Sequence, residues 1–129
     1  MSTIDALREG IRALLEGHPA VRELADPSLK APHTKKIERY SCGADRGIGH
    51  EIGPAGQQNV WVPLGAIRLE SLADIAHVVK PGYGLDEKPG RNSNLEQIPG
   101  FRRAPVVCFM PKTVREAERI ISAIAGPAT

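Results

Sequence analysis

Aromatic side chains are scarce in this chain: Trp61, Tyr40, Tyr83, Phe101 and Phe109 amount to 4% of 129 residues. The core therefore has to be assembled from Ile, Leu, Val and Ala. Cysteine is scarcer still, with only Cys42 and Cys108 far apart in sequence. That excludes a disulfide framework and leaves two free thiols as the expectation. No apolar run approaches the ~20 residues that cross a bilayer, so no membrane partner is expected. The first helix carries charges throughout, which is unlike a signal peptide, and the expected location is the cytoplasm. Closely spaced ligand pairs are missing as well. His18, His33, Cys42, His50, His77 and Cys108 are scattered singly. Zinc-type sites need three or four convergent ligands, so neither a metal nor a cofactor is expected.

Neither sign of charge dominates. Seventeen Lys and Arg stand against fifteen Asp and Glu, and a net charge of +2 does not by itself argue for nucleic acid. The distribution is more informative: residues 28–46 and 80–111 are net basic, while residues 1–27 and 47–79 are net acidic. The apolar share of 41% and charged share of 25% match ordinary globular chains. Residues 1–129 have the length of a single domain with one core.

Ile4, Leu7, Ile11, Leu14 and Leu15 recur at helical spacing and predict an amphipathic helix over residues 2–16, with Ser2 and Asp5 as a capping box. Gly17 and Pro19 stop it, and a second short helix over residues 19–25 is expected, with Val21 and Leu24 inward. Residues 35–42 alternate well enough for a strand. The glycines of residues 43–58 suggest a long loop or wide hairpin, and Gly43–Gly56 is expected to be the more mobile of two long loops. Residues 59–69 read as strand, with Pro63 implying an edge strand or a break. Residues 71–79 fit either a helix capped by Ser71 and Asp74 or a strand, with helix preferred. Residues 80–104 show no periodicity, and a loop of that length usually has a purpose. Residues 105–110 form a continuous apolar run expected to be a strand buried on both faces. Thr113 and Glu116 then cap a helix whose stripe is Val114, Ala117, Ile120, Ile121 and Ile124, closed by Gly126 and Pro127. The fold class is α+β: an N-terminal helical segment, a small antiparallel or mixed sheet of three to five strands, and a C-terminal helix packed on it.

Several motifs are imitated without being met. Gly47-Ile48-Gly49 followed by Gly53 has three residues where a dinucleotide fingerprint has two, and no helix can start at Gly53-Pro54. Gly84 to Gly90 is one residue too long for a phosphate loop and lacks its Lys-Ser/Thr pair. His50-Glu51 begins like a zinc-protease helix, but Pro54 occupies the second histidine's place. Cys42 and Arg46 are too close together for a phosphatase loop.

Two polar groups remain. His50 or Glu51 as a general base beside Arg46 would suit hydrolysis or phosphoryl chemistry. Arg91, Asn92 and Asn94, with Arg102 and Arg103 nearby, offer a guanidinium fork and amides that suit phosphates or base edges. The leading expectation is a small binding module for nucleic acid or another phosphate-bearing ligand. The alternatives are a protein–protein accessory or inhibitor/immunity-type protein, with a protein partner or homo-oligomer, and a small hydrolase using His50, Glu51 and Arg46.

Overall fold

The computed structural model describes residues 3–24, 33, 36–88, 90–91 and 93–127. Helix α1 (Thr3–Gly17) precedes strands β1 (Arg22–Glu23), β2 (Ile37–Ser41), β3 (Gly47–Ile52), β4 (Gln58–Pro63), β5 (His77–Lys80) and β6 (Val106–Phe109), and helix α2 (Val114–Ala125) follows. The strands form one antiparallel sheet in the order β1-β2-β3-β4-β6-β5. The α+β expectation is met, with more strands than expected and no parallel pair among them.

Because side chains alternate along a strand, each face of the sheet needs its own cover. One face presents Tyr40, Ile48, Val60, Val62, Val107 and Phe109 to the buried stripes of the helices: Ile11 and Leu15 from α1, and Ala117, Ile120, Ile121 and Ile124 from α2. The other face presents Ile37, Trp61, Val106 and Cys108, and it is covered by Leu95, Ile98 and Phe101. The described residues between 81 and 105 therefore form a third layer. Their apolar residues recur every third position because the backbone makes successive tight turns: Ile98 donates to Leu95, Phe101 to Ile98 and Ala104 to Phe101.

α2 begins as its sequence predicts. Thr113 accepts from the Glu116 amide at 3.1 Å, and Glu116 reaches back to the Lys112 amide at 2.8 Å. Gly126 ends it with a φ of 84°. His18 joins the two helix ends, accepting from the Ala20 amide at Nδ1 (3.0 Å) and donating from Nε2 to the Gly126 carbonyl (2.7 Å). The Ser2 cap lies outside the described residues. Ile121 is only 2% exposed, and Ile121→Ala is expected to cost about 2–4 kcal/mol by urea melt. A loss below about 0.5 kcal/mol would place the stripe in solvent.

Four expectations are corrected. In place of the short helix over residues 19–25, a turn leads into β1; Val21 and Leu24 still end up buried, and Leu24 donates its amide to Arg39. Ala25, in that expected helix, lies outside the described residues. Residues 71–79 form no α-helix: Ser71 donates its hydroxyl to the Arg68 carbonyl at a single 3₁₀ turn (Leu69–Leu72), and the chain extends into β5. β4 is interior rather than an edge, since Pro63 stands at its last position and the following Leu64 amide donates to Pro105. Residues 43–58, expected as a long loop or wide hairpin, hold β3, paired on both sides. Its glycines serve close packing. A Cβ on Gly47 would sit 2.1 Å from Ile98 Cγ2, and one on Gly49 2.9 Å from Leu95 Cδ2.

Candidate functional site

His50 and Glu51 are consecutive on β3, so they point to opposite faces of the sheet. His50 is fully buried under the helices, where Nδ1 lies 2.9 Å from Glu38 Oε1 and Nε2 lies 2.7 Å from Gln58 Oε1. Gln58 donates its Nε2 to the Gly56 carbonyl, which turns its oxygen toward the ring. Each ring nitrogen of His50 thus faces an acceptor oxygen. Arg12 of α1 closes the network on the other carboxylate oxygen of Glu38 at 2.8 Å. Burial by itself would raise the Glu38 carboxyl, but the His50 hydrogen bond and the charges of His50, Arg12 and His33 outweigh it and hold it below the ordinary range. Glu51 faces the other way and accepts from Asn59 (2.9 Å) and the Trp61 indole (3.0 Å). Arg46 stands at the opposite end of β3, in the turn from β2. The three residues of the hydrolase alternative do not converge.

The second group also separates. The Arg91 guanidinium is fully buried within the covering loop. It donates from Nε to Glu96 (2.7 Å) and from Nη2 to the carbonyls of Ala104 (2.8 Å) and Phe101 (3.3 Å), and it lies over the Tyr83 ring. Tyr83 in turn donates to Glu96 at 2.6 Å. Asn94 turns its carbonyl inward to Arg39. Asn92 lies outside the described residues. Arg91 thus organises the loop from within, where the sequence reading placed it against a ligand. Arg102 and Arg103 are exposed on the loop's return to β6.

The structure instead brings one member of each group to the same place. Asp45 and Arg46, from the β2–β3 turn, face Gly100, Arg102, Ala104 and Pro105 across a cleft of about 690 Å³ floored by Pro63, Gly65 and Ala66. Among the described residues, no hydrogen bond or ion pair engages the guanidinium of Arg46 or Arg102. The contrast with Arg12, Arg91 and Arg119, each paired with a carboxylate, is clear. The walls are fixed by main chain: Gly47 donates to Pro99 at 2.9 Å, Leu64 to Pro105 at 3.0 Å, and Tyr83 to Arg103 at 3.2 Å. Gly100 has a φ of 85°, and a Cβ there would lie 2.4 Å from the Asp45 carbonyl oxygen, so the two walls touch at this point. Arg103, beside Arg102, holds a left-handed φ of 60° without being glycine. Such conformations persist where the surroundings over-determine them, often at binding sites.

At the other end of the β3–β4 hairpin, Leu7, Gln58, Ala76, Met110 and Pro111 line a mostly apolar depression of about 400 Å³. Both polar ends of Gln58 are already engaged. Neither thiol is activated. Burial raises Cys42, which donates to the Arg46 carbonyl, and burial together with the Glu51 charge pushes Cys108 up to about 12. The two cysteines are free. The described residues hold no cluster of three metal-ligating side chains.

Sequence reasoning put Arg46 and Arg102 in separate groups and missed the floor residues, which carry no chemical signal of their own. Basic residues flanking the backbone-tight Gly47 and Gly100 were the available hint. No family model matches the chain, and no curated protein or solved structure shows significant similarity to it.

Proposed function

We propose that this protein is a small binding module whose cleft between the β2–β3 turn and residues 100–105 takes a phosphate-bearing ligand. The observation that carries this reading is the pair of exposed, unpaired guanidiniums, Arg46 and Arg102, held across a cleft with braced walls. An arginine fork matches phosphate oxygens and stays charged at any working pH. Asp45 leaves this cleft with a surplus of one positive charge, enough to favour an anion while limiting nonspecific adhesion. The double variant Arg46→Ala/Arg102→Ala is expected to weaken retention on heparin and binding of pyrophosphate at least tenfold, about 1.4 kcal/mol. Its melting temperature should be unchanged, because neither guanidinium has a partner among the described residues to lose. Unaltered binding in a folded double variant would falsify the reading.

A second reading, a protein–protein module, is favoured by β5. This strand closes one edge of the sheet and exposes Val78 (46%) and Val79 (40%). An open edge with apolar side chains is a template for strand addition, although Lys80 and Pro81 blunt it. Sedimentation of wild type against Val79→Lys, compared across concentration, tests whether copies associate there.

A further inference from the structure

The cleft does not end at Ala66. A second depression of about 380 Å³ lies on its far side, shares Gly65 and Ala66 with it, and is lined by Arg68 and Ser71. Arg68 is exposed and, like Arg46 and Arg102, makes no side-chain hydrogen bond or ion pair with any described residue. Three guanidiniums without a partner among the described residues therefore border a trough made of two adjoining depressions that share Gly65 and Ala66. Both aromatic rings that could have stacked a base from the neighbouring strands, Tyr40 and Trp61, are buried in the core. We infer that the trough holds the sugar–phosphate backbone of a single-stranded nucleic acid, with successive phosphates at Arg46/Arg102 and at Arg68. This rests on the phosphate reading of the cleft and extends it from one phosphate to a strand.

The chemistry favours a strand over a mononucleotide. A lone phosphate is satisfied by the first pair of arginines, which leaves Arg68 without an occupant. A flexible phosphodiester chain can follow a concave floor, whereas a duplex presents a broad convex surface to it. With no exposed ring along the trough, the grip is on backbone charge, so binding is sequence-tolerant and strongly salt-dependent.

Gly65 supplies a selective test. A Cβ there would meet nothing within 4 Å, and its φ is not left-handed, so a larger side chain is accommodated by the protein while obstructing the shared floor. Fluorescence anisotropy would use a labelled oligothymidylate of about twelve nucleotides, within the site sizes common for single-strand binders. Thymidine monophosphate, pyrophosphate and a duplex of equal length serve as competitors. The oligonucleotide is expected to bind at least about tenfold tighter than the monophosphate, and Gly65→Leu to weaken it about tenfold at an unchanged melting temperature. Arg68→Ala should lower the slope of log K against log salt by about 0.7, the loss of one single-strand phosphate contact. If monophosphate binds as well as the strand, or the duplex binds better, the strand inference is overturned and the cleft reading stands. The same holds if Arg68→Ala and a folded Gly65→Leu both bind like wild type. If pyrophosphate and oligonucleotide both fail to bind, the cleft reading falls and takes this one with it.

Discussion

Arg91→Ala is expected to destabilise the protein by about 3–5 kcal/mol, as breaking a buried ion pair on one side commonly does. The guanidinium has no exposed surface and serves Glu96 together with two backbone carbonyls, those of Phe101 and Ala104. Removing it leaves a carboxylate that is only 11% exposed without its counter-charge, the Ala104 carbonyl without the Arg91 donor, and the Phe101 carbonyl with the Ala104 amide alone. The Tyr83 ring loses its cation, leaving the start of the covering loop held by the Tyr83 hydroxyl on Glu96 and the Tyr83 amide on Arg103. Arg91→Lys should recover part of the loss, because an ammonium can neutralise Glu96 but cannot serve three directions from one planar fork. Urea melts of both variants measure this. A loss under about 1 kcal/mol for the alanine variant would mean that Leu95, Ile98 and Phe101 hold the loop by apolar burial alone.

The second large effect belongs to Glu38. Glu38→Ala is expected to cost about 3 kcal/mol, since it strands the buried His50 ring with a donor facing nothing and removes an Arg12 contact between α1 and the sheet. Because the folded protein lowers this carboxyl below its unfolded value, its contribution is fully present above the unfolded value. It is lost as pH falls through the folded one. Wild type should therefore weaken on acidification below the ordinary glutamate range. Glu38→Gln, which keeps the shape without the charge, should start less stable at neutral pH and show a shallower acid decline. Parallel slopes in acid for the two proteins would remove Glu38 from the account.

How much of this was legible beforehand depended on whether a residue's local pattern had one physical reason. α2 and β6 were readable because the capping residues, the isoleucine stripe and the apolar run all agree. β3 was not readable. Gly47 and Gly49 lower strand propensity, and they are there because the covering loop approaches too closely for any side chain. The covering loop hid for a related reason: Leu95, Ile98 and Phe101 follow the period of three of successive tight turns, which matches neither helix nor strand. His50-Glu51 looked like a pair because adjacency in sequence was taken for adjacency in space, and a strand sends neighbours to opposite faces. Arg91 resembled a ligand-seeking arginine because its partners, Glu96 and the carbonyls beyond, are set by tertiary folding. Arg46 and Arg102 were named among the candidates, but only the sheet places them across one cleft, and Arg68 lies alone in an otherwise acidic stretch.

The strand order has a consequence for how the molecule is made. β6 inserts between β4 and β5, with residues 64–105 separating it from β4, so two strands must wait for a third that is synthesised after both. Until Val106–Phe109 emerges, β4 and β5 each present an unpaired edge, and the β4 edge carries Val60 and Val62. The last register to form is also among the most non-local, which slows the search for it. A nascent chain paused between residues 80 and 105 would be open to strand capture by another chain, so its yield should respond to translation speed and to chaperone supply more than its finished stability would suggest.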